Sequence, residues 1–355
     1  MKRVMILGAG KCGRGFIPRF LHDVNLCFCD KNEALIQSLN KQNSYQIHFF
    51  NDRPALTINY EECCVFGSEK AHEALIAADI LCVSIDCSNY ADIAVQLNEW
   101  IKEREFPLII LFFENAVNAG EKLLVHLDQA AANNCVLLNA GVFTTTENAG
   151  DLDMISQDLD YLPIQNSGLI LPLKGITRID DFTSLMKRKL YTYNCLSAVI
   201  CYLGYLKHYE WLAEAANDTQ IHEKLMILLP EMNQRLADYF QLSLAEQQQF
   251  AKNALIKFSD PYLKDPISRN ARNVSRKLGS DERLYKPLQL LHDGGRDVLL
   301  ETIAAACVYD FYEETHQGIA LLNQFSYTDE ECVKIKAYYE SFIESFILQQ
   351  PPANA

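Results

Sequence analysis

Six residues constrain this chain more than any others. Gly8-Ala9-Gly10-Lys11-Cys12-Gly13 is a G-x-G-x-x-G loop that directly follows the apolar run Val4–Leu7. A lone match carries little information. This one follows a predicted strand and opens a predicted helix near Arg14–Leu21, as a βαβ unit requires. In that setting the glycines allow a tight turn, a close approach of backbone to pyrophosphate, and close packing of helix on strand. The start of the helix offers free N–H groups to phosphate oxygens. The next strand, Leu26–Cys29, ends in Asp30, about 20 residues past the glycines, where a carboxylate binds both ribose hydroxyls. A carboxylate there repels a 2′-phosphate, so the expected cofactor is NAD rather than NADP. It is expected on Gly8, Gly10, Cys12, Gly13, Arg14 and Asp30. Pro18 is at odds with the helix, because a proline past the first turn costs a hydrogen bond.

The same alternation continues. Ile80–Ile85 precedes an amphipathic stretch from Tyr90 to Lys102, Leu108–Phe113 precedes a helix near Gly120–Ala132, and Cys135–Leu138 follows. Continuous apolar strands separated by helices predict a parallel sheet covered on both faces. Asp86 follows one of these strands and Glu114-Asn115 another, at strand ends where open α/β sheets bind ligands. Asp86 is therefore a cofactor candidate; the plainer alternative for each is a turn residue or helix cap. From about Asp181 the apolar residues recur at helical spacing, as in Leu196/Ile200/Leu203 and Met232/Leu236/Phe240. The expected fold is an α/β Rossmann-like domain over residues 1–180 and a mostly α-helical domain over 181–350. Irregular strands are expected between Asn139 and Ile179. Asp329–Leu348 reads as an amphipathic helix, and the residues after it are expected to fray.

Composition narrows the function. Two domains are the default for 355 residues. The net charge of −14 speaks against nucleic-acid binding, where phosphate neutralisation supplies most of the affinity. There is no polybasic run for an anionic membrane and no apolar stretch of about 18 residues to span one. The first apolar run is too short for a signal peptide, so a cytoplasmic location is the default expectation, with the 12 cysteines as reduced thiols. No CxxC, HxxxH or HExxH occurs, and no metal is expected.

The chemical candidate lies in the second half. Lys189, Asn194 and Ser197 follow a K-x4-N-x2-S spacing. At about 100° per residue they fall near 0°, 140° and 80° around a helix, so all three can line one side of a cleft. A lysine beside an apolar cleft can have its pKa lowered and work as an acid/base near neutral pH. The bland alternative is a surface lysine and a helix-interior asparagine. Arg269, Arg272, Arg276, Lys277 and Arg283 form a basic cluster in an acidic protein. Such charge suits a sugar phosphate, although internal salt bridges would also account for it. His208, His222 and His292 read as packed or surface residues.

Several stretches together resemble the polyol-specific long-chain dehydrogenases. They are Ile6–Phe16, Asn43–Ile47, Glu114-Asn115, Lys189–Asn194 with Tyr202–Lys207, Asp265–Arg269, and Arg276–Leu278 with Asp281–Leu284. The resemblance implies a metal-independent NAD oxidoreductase interconverting a polyol or its phosphate and a ketose or its phosphate, with mannitol 1-phosphate and fructose 6-phosphate foremost. It implies Lys189 as general acid/base and Asn194 and Asn115 as the groups that hold the developing oxyanion. Ser197 stands where the family has histidine. Gly141–Asn148 replaces a family stretch near the expected substrate contact. These departures leave an alternative, a non-catalytic NAD-binding sensor or partner-binding protein on the same scaffold.

Overall fold

The computed structural model describes residues 1–349. Of the end expected to fray, Gln349 is the last residue of a helix, and residues 350–355 lie outside the described residues. The chain divides into two compact units, one from Met1 to Met186 and the other from Lys187 onward.

The first unit is built on an eight-stranded sheet. Its strands are β1 (Lys2–Leu7), β2 (Val24–Asp30), β5 (Cys64–Val65), β6 (Ile80–Val83), β7 (Leu108–Phe113), β8 (Cys135–Ala140), β11 (Leu162–Gln165) and β12 (Ile176–Ile179). The order is β12-β11-β8-β7-β6-β1-β2-β5. All pairings from β5 to β8 are parallel, and β11 joins β8 antiparallel. The continuous apolar run of β1 serves both faces. Val4 and Ile6 enter one core with Phe16, Phe28 and Ile47, while Met5 and Leu7 enter the other with Leu97, Ile101 and Phe112. Alternate residues of a strand point to opposite faces, so a strand covered on both sides is apolar throughout. The order reverses at β1, whose neighbours are β2 and β6, and this is where open parallel sheets open a ligand crevice.

Local expectations needed correction. The helix predicted near Arg14–Leu21 is a five-residue helix, Lys11–Gly15, followed by a 3₁₀ turn over Ile17–Arg19. Pro18 sits in that turn, where its missing N–H costs nothing. The helix predicted over Gly120–Ala132 is two, Ala119–Leu124 and Gln129–Asn133. Asp128 makes the break by accepting a hydrogen bond from the Ala131 N–H at 2.9 Å and capping the second. A second sheet was not predicted. It comprises β3 (Ser44–Phe49), β4 (Leu56–Asn59), β9 (Thr146–Gly150) and β10 (Asp153–Ser156), ordered β4-β3-β10-β9. The expected irregular strands between 139 and 179 thus divide between two sheets.

The second unit is helical. Its long members are Cys195–Leu206, Thr219–Phe240, Leu244–Phe258, Gly294–Glu313 and Asp329–Gln349. Gly294–Glu313 is buried on nearly every side through its middle turns, which suits its run of apolar and small residues. Gly204 lets the short helix Leu212–Ala216 pack closely, because a Cβ there would lie 2.5 Å from the Ala215 Cβ. No helix among the described residues is long and apolar enough to cross a membrane.

Candidate active site

The glycine loop joins β1 to the helix Lys11–Gly15. Gly8 adopts φ +97° and is packed tightly, since a Cβ on it would lie 2.4 Å from the Ser84 carbonyl oxygen. A Cβ on Gly13 would lie 1.9 Å from the Gly8 carbonyl oxygen, so only glycine permits this approach of helix to loop. Gly10 is the opposite case: a Cβ there meets nothing within 4 Å. The loop thus presents bare backbone to open space at the one glycine where a pyrophosphate must come close. Asp30, the last residue of β2, is held by two backbone donors. The Ala9 N–H donates to Oδ2 at 2.7 Å and the Asn32 N–H to Oδ1 at 2.9 Å. The carboxylate is therefore oriented at the edge of the loop. These residues fit a dinucleotide.

Other residues predicted to contact the cofactor have different surroundings. Arg14 is buried and acts as a brace. Its Nε donates to the Ala9 carbonyl at 2.8 Å, Nη1 to the Leu152 carbonyl at 2.6 Å and Nη2 to Asn148 Oδ1 at 3.3 Å. Burial pulls its pKa down, an effect opposed by Tyr45, Tyr60 and Asp30. The Tyr45 hydroxyl donates to the Arg14 carbonyl at 2.6 Å, which ties the second sheet to the loop from below. Cys12 is partly exposed, with its sulfur 4.0 Å from the Phe113 carbonyl oxygen. Asp86 caps the 3₁₀ turn Cys87–Asn89 by accepting the Ser88 N–H at 2.9 Å. Asn115 is exposed in the non-helical stretch after β7.

The sequence missed one contribution to the loop. The stretch 141–148, expected near substrate, enters β9, where Glu147 forms an ion pair with Lys11 and Asn148 accepts from Arg14. Nothing in the local pattern of Thr146–Gly150 signals a strand. Its pairing with β10, itself paired with β3, brings it to the loop.

In the second unit the spacing argument needs its largest revision. Leu190–Asn194 is a π-helical segment between the α-helices Phe182–Lys189 and Cys195–Leu206. A π turn closes between a residue and the fifth after it. Lys189 and Asn194, five apart, therefore lie almost one above the other, not about 140° apart as a regular helix would place them. Ser197 follows Asn194 by three residues on the same face of the next helix. Lys189 is buried, at 6% exposure, while Asn194 and Ser197 are half-buried. The three predicted residues of this unit are thus brought together, by a departure from the geometry that predicted them.

The basic cluster is mostly paired. Arg269 meets Asp265 at 3.0 Å, and Glu282 takes both Arg276 at 3.1 Å and Arg283 at 3.3 Å. Lys277 differs. It is 4% exposed, its Nζ donates to the Asn270 carbonyl, and it lies 5.6 Å from the centre of the Tyr202 ring. Burial first, and the neighbouring Arg283 charge second, lower its pKa to about 7. Glu282 pairs with Arg283 but not with Lys277, so burial and the half-buried Arg283 guanidinium both disfavour the Lys277 ammonium.

Comparison with known proteins agrees with this organisation. The family model for the mannitol dehydrogenase Rossmann domain matches residues 2–140, and that for the mannitol dehydrogenase C-terminal domain matches residues 181–341. The mannitol-1-phosphate 5-dehydrogenase of Oceanobacillus iheyensis is 27% identical over 97% of this chain and 94% of its own length. That of Shouchella clausii is 28% identical over 92% of this chain and 94% of its own. Among solved structures, the ternary complex of Pseudomonas fluorescens mannitol 2-dehydrogenase with NAD and D-mannitol matches with a TM-score of 0.75. The identity is 14%, over 99% of this chain and 95% of that one. A substrate-free D-sorbitol dehydrogenase matches with a TM-score of 0.73 at 12% identity, over 97% of this chain and 94% of that one.

Proposed function

This chain belongs to the mannitol dehydrogenase family and is an NAD-dependent polyol dehydrogenase, and from that premise we propose that it interconverts mannitol 1-phosphate and fructose 6-phosphate. The observation that carries the chemistry is the buried Lys189 with Asn194 stacked on it across a π turn. NAD supplies the acceptor for the hydride that leaves the carbinol carbon. Gly8, Gly10 and Gly13 let the loop approach its pyrophosphate, and Asp30 receives the ribose hydroxyls. Lys189 takes the hydroxyl proton as the alcohol is oxidised and returns it in reduction. Burial suits that role, because it keeps bulk water from the proton transfer. The amide N–H groups of Asn194 donate to the developing alkoxide, which needs donors within about 3 Å once no metal takes the charge; for Asn115 the oxyanion role is what the family resemblance implies. Ser197 offers a hydroxyl but no titratable group at the position where the family has histidine.

The phosphate preference is supported by the relatives named for mannitol 1-phosphate, and the buried Lys277 is the basic residue we infer to sense the phosphate. The enzyme reading displaces the sensor alternative. The test is NADH oxidation with fructose 6-phosphate and, beside it, free fructose, in wild type and Lys189→Ala. Turnover that depends on the phosphate and falls by about 10²–10⁴-fold in the variant is expected for a general acid/base. Equal rates with free fructose would remove the phosphate assignment. An active Lys189→Ala would remove the acid/base assignment.

A further inference from the structure

The π segment that brings Asn194 to Lys189 is an irregular turn and needs a reason to persist. A helix left to itself returns to i→i+4 bonding, with better hydrogen-bond geometry. Three consecutive side chains of the segment, Tyr191, Thr192 and Tyr193, are buried. Two of them are held by aromatic packing that tolerates small rotations. Tyr191 stacks on Phe240 at 6.1 Å and donates its hydroxyl to Asp281 at 2.7 Å, and Tyr193 meets the Phe250 ring edge-on at 4.9 Å.

Thr192 is held differently. Its hydroxyl accepts a hydrogen bond from Gln247 Nε2 at 3.0 Å, and both residues are fully buried. The other end of the same amide accepts from Arg188 Nε at 2.8 Å. One side chain thus bonds the residue before Lys189 and the third residue after it. A buried amide costs free energy unless satisfied, and this one is satisfied only while those two residues keep their present spacing. Gln247 is itself fixed. It sits in the first turn of Leu244–Phe258, behind a capping box in which Ser243 and Glu246 bond reciprocally. The Glu246 carbonyl accepts a second bond from Arg188 at 2.8 Å. Of the three consecutive glutamines 247–249, only Gln247 is buried.

We propose that Gln247 is a positioning residue for catalysis: it clamps Arg188 and Thr192 on either side of Lys189, holds the π turn open, and so keeps Lys189 and Asn194 in register on one side of the helix. The inference rests on Lys189 being the acid/base. If the clamp is released, the segment relaxes toward α-helical winding. Asn194, and Ser197 after it, then rotate away from Lys189 by most of the difference between a closed turn and about 140°.

The test uses three variants of the full chain: Gln247→Leu, Thr192→Val and Gln247→Glu. The first two remove the clamp. The third keeps it, because a carboxylate accepts from both the Arg188 guanidinium and the Thr192 hydroxyl. Each is assayed with NADH and fructose 6-phosphate across pH, alongside Lys189→Ala. Gln247→Leu and Thr192→Val are expected to lower kcat by about 10–100-fold with a shifted pH profile, as a misplacement near 1 Å does. KM and the dissociation constant for NADH should change little, and Gln247→Glu should stay within a few-fold of wild type. A second readout needs no turnover: the pH dependence of Lys189 acetylation by acetic anhydride, followed by peptide mass spectrometry. It should shift in the two releasing variants and not in Gln247→Glu. Unchanged kcat and unchanged labelling profiles in Gln247→Leu and Thr192→Val, whatever their melting temperatures, would overturn the inference. A Lys189→Ala protein as active as wild type would instead overturn the reading beneath it.

Discussion

Replacing Lys277 by methionine is expected to make the protein more stable and a poorer enzyme. The side chain is 4% exposed and its pKa is lowered from 10.5 to about 7. At about 1.4 kcal/mol per pH unit, that difference corresponds to roughly 5 kcal/mol against folding wherever the folded state must carry the charge. The unfolded chain keeps its proton up to about 10.5, whereas the folded chain gives it up near 7. The unfolded state therefore binds more protons between those values, and this residue makes stability rise with pH across that window. Below about 7 the whole penalty is present, and above 10.5 none is. Methionine has a similar length and no charge, but it leaves the Asn270 carbonyl without its donor, at about 1–3 kcal/mol, and loses the contact with Tyr202. The net gain is about 2–3 kcal/mol below pH 7, or on the order of 3–4 °C in Tm for a 355-residue chain unfolding as one unit. Calorimetry of both proteins from pH 6 to 9.5 should show this gain shrinking as pH rises. In the same variant KM for fructose 6-phosphate should rise at least tenfold, with free fructose barely affected. A Tm difference of constant size across pH, or a loss of stability at pH 6, would refute the reasoning about buried charge. An unchanged KM would separate Lys277 from the phosphate.

Three further outcomes follow from named contacts. Asp30→Ala removes the acceptor shared by the Ala9 and Asn32 N–H groups, so the dissociation constant for NADH, read by fluorescence titration, should rise about 10–100-fold while that for NADPH rises less. Gly13→Ala forces a Cβ against the Gly8 carbonyl; urea unfolding should show about 1–3 kcal/mol lost, and NADH binding should fail even in protein that remains folded. Ser197→His restores a titratable group one helical step from Asn194. It should raise kcat for polyol oxidation by about tenfold or more above pH 7 if that position relays protons, and a lower kcat would assign the serine another role.

The Rossmann half was readable because its evidence is local and redundant. The apolar runs of β1, β6 and β7 are continuous, the glycines stand between strand and helix, and Asp30 ends the second strand. The second sheet was not readable because its strands are specified by partners far away in sequence. β10 pairs with β3 across about a hundred residues, and Thr146–Gly150 is a strand only because β10 lies beside it. The same distance hid Glu147 and Asn148, whose side chains reach Lys11 and Arg14. Likewise the break at Asp128 rests on a single cap, which a periodicity count over Gly120–Ala132 averages away.

The residues proposed for the site obey a different logic from the fold residues. Lys189, Thr192, Gln247 and Lys277 break the rule that the interior of a helical unit should be apolar, and each is buried to within a few per cent. Fold stability does not ask for them, since a buried lysine or amide is at best neutral when satisfied and costly when not. A regular helix would also have been easier to form than the π turn at Leu190–Asn194. For Lys189, Thr192 and Gln247 the polar burial and the irregular turn coincide in one short stretch and its clamp. Where local preference, core composition and helical geometry are all violated together, the compensation lies in what the residues do. A lysine and an asparagine at a spacing of five are poorly placed for joint chemistry on an α-helix. On a π turn fastened by Gln247 they are neighbours, and the sequence alone gives no sign of this because Gln247 sits in a run of three glutamines on another helix.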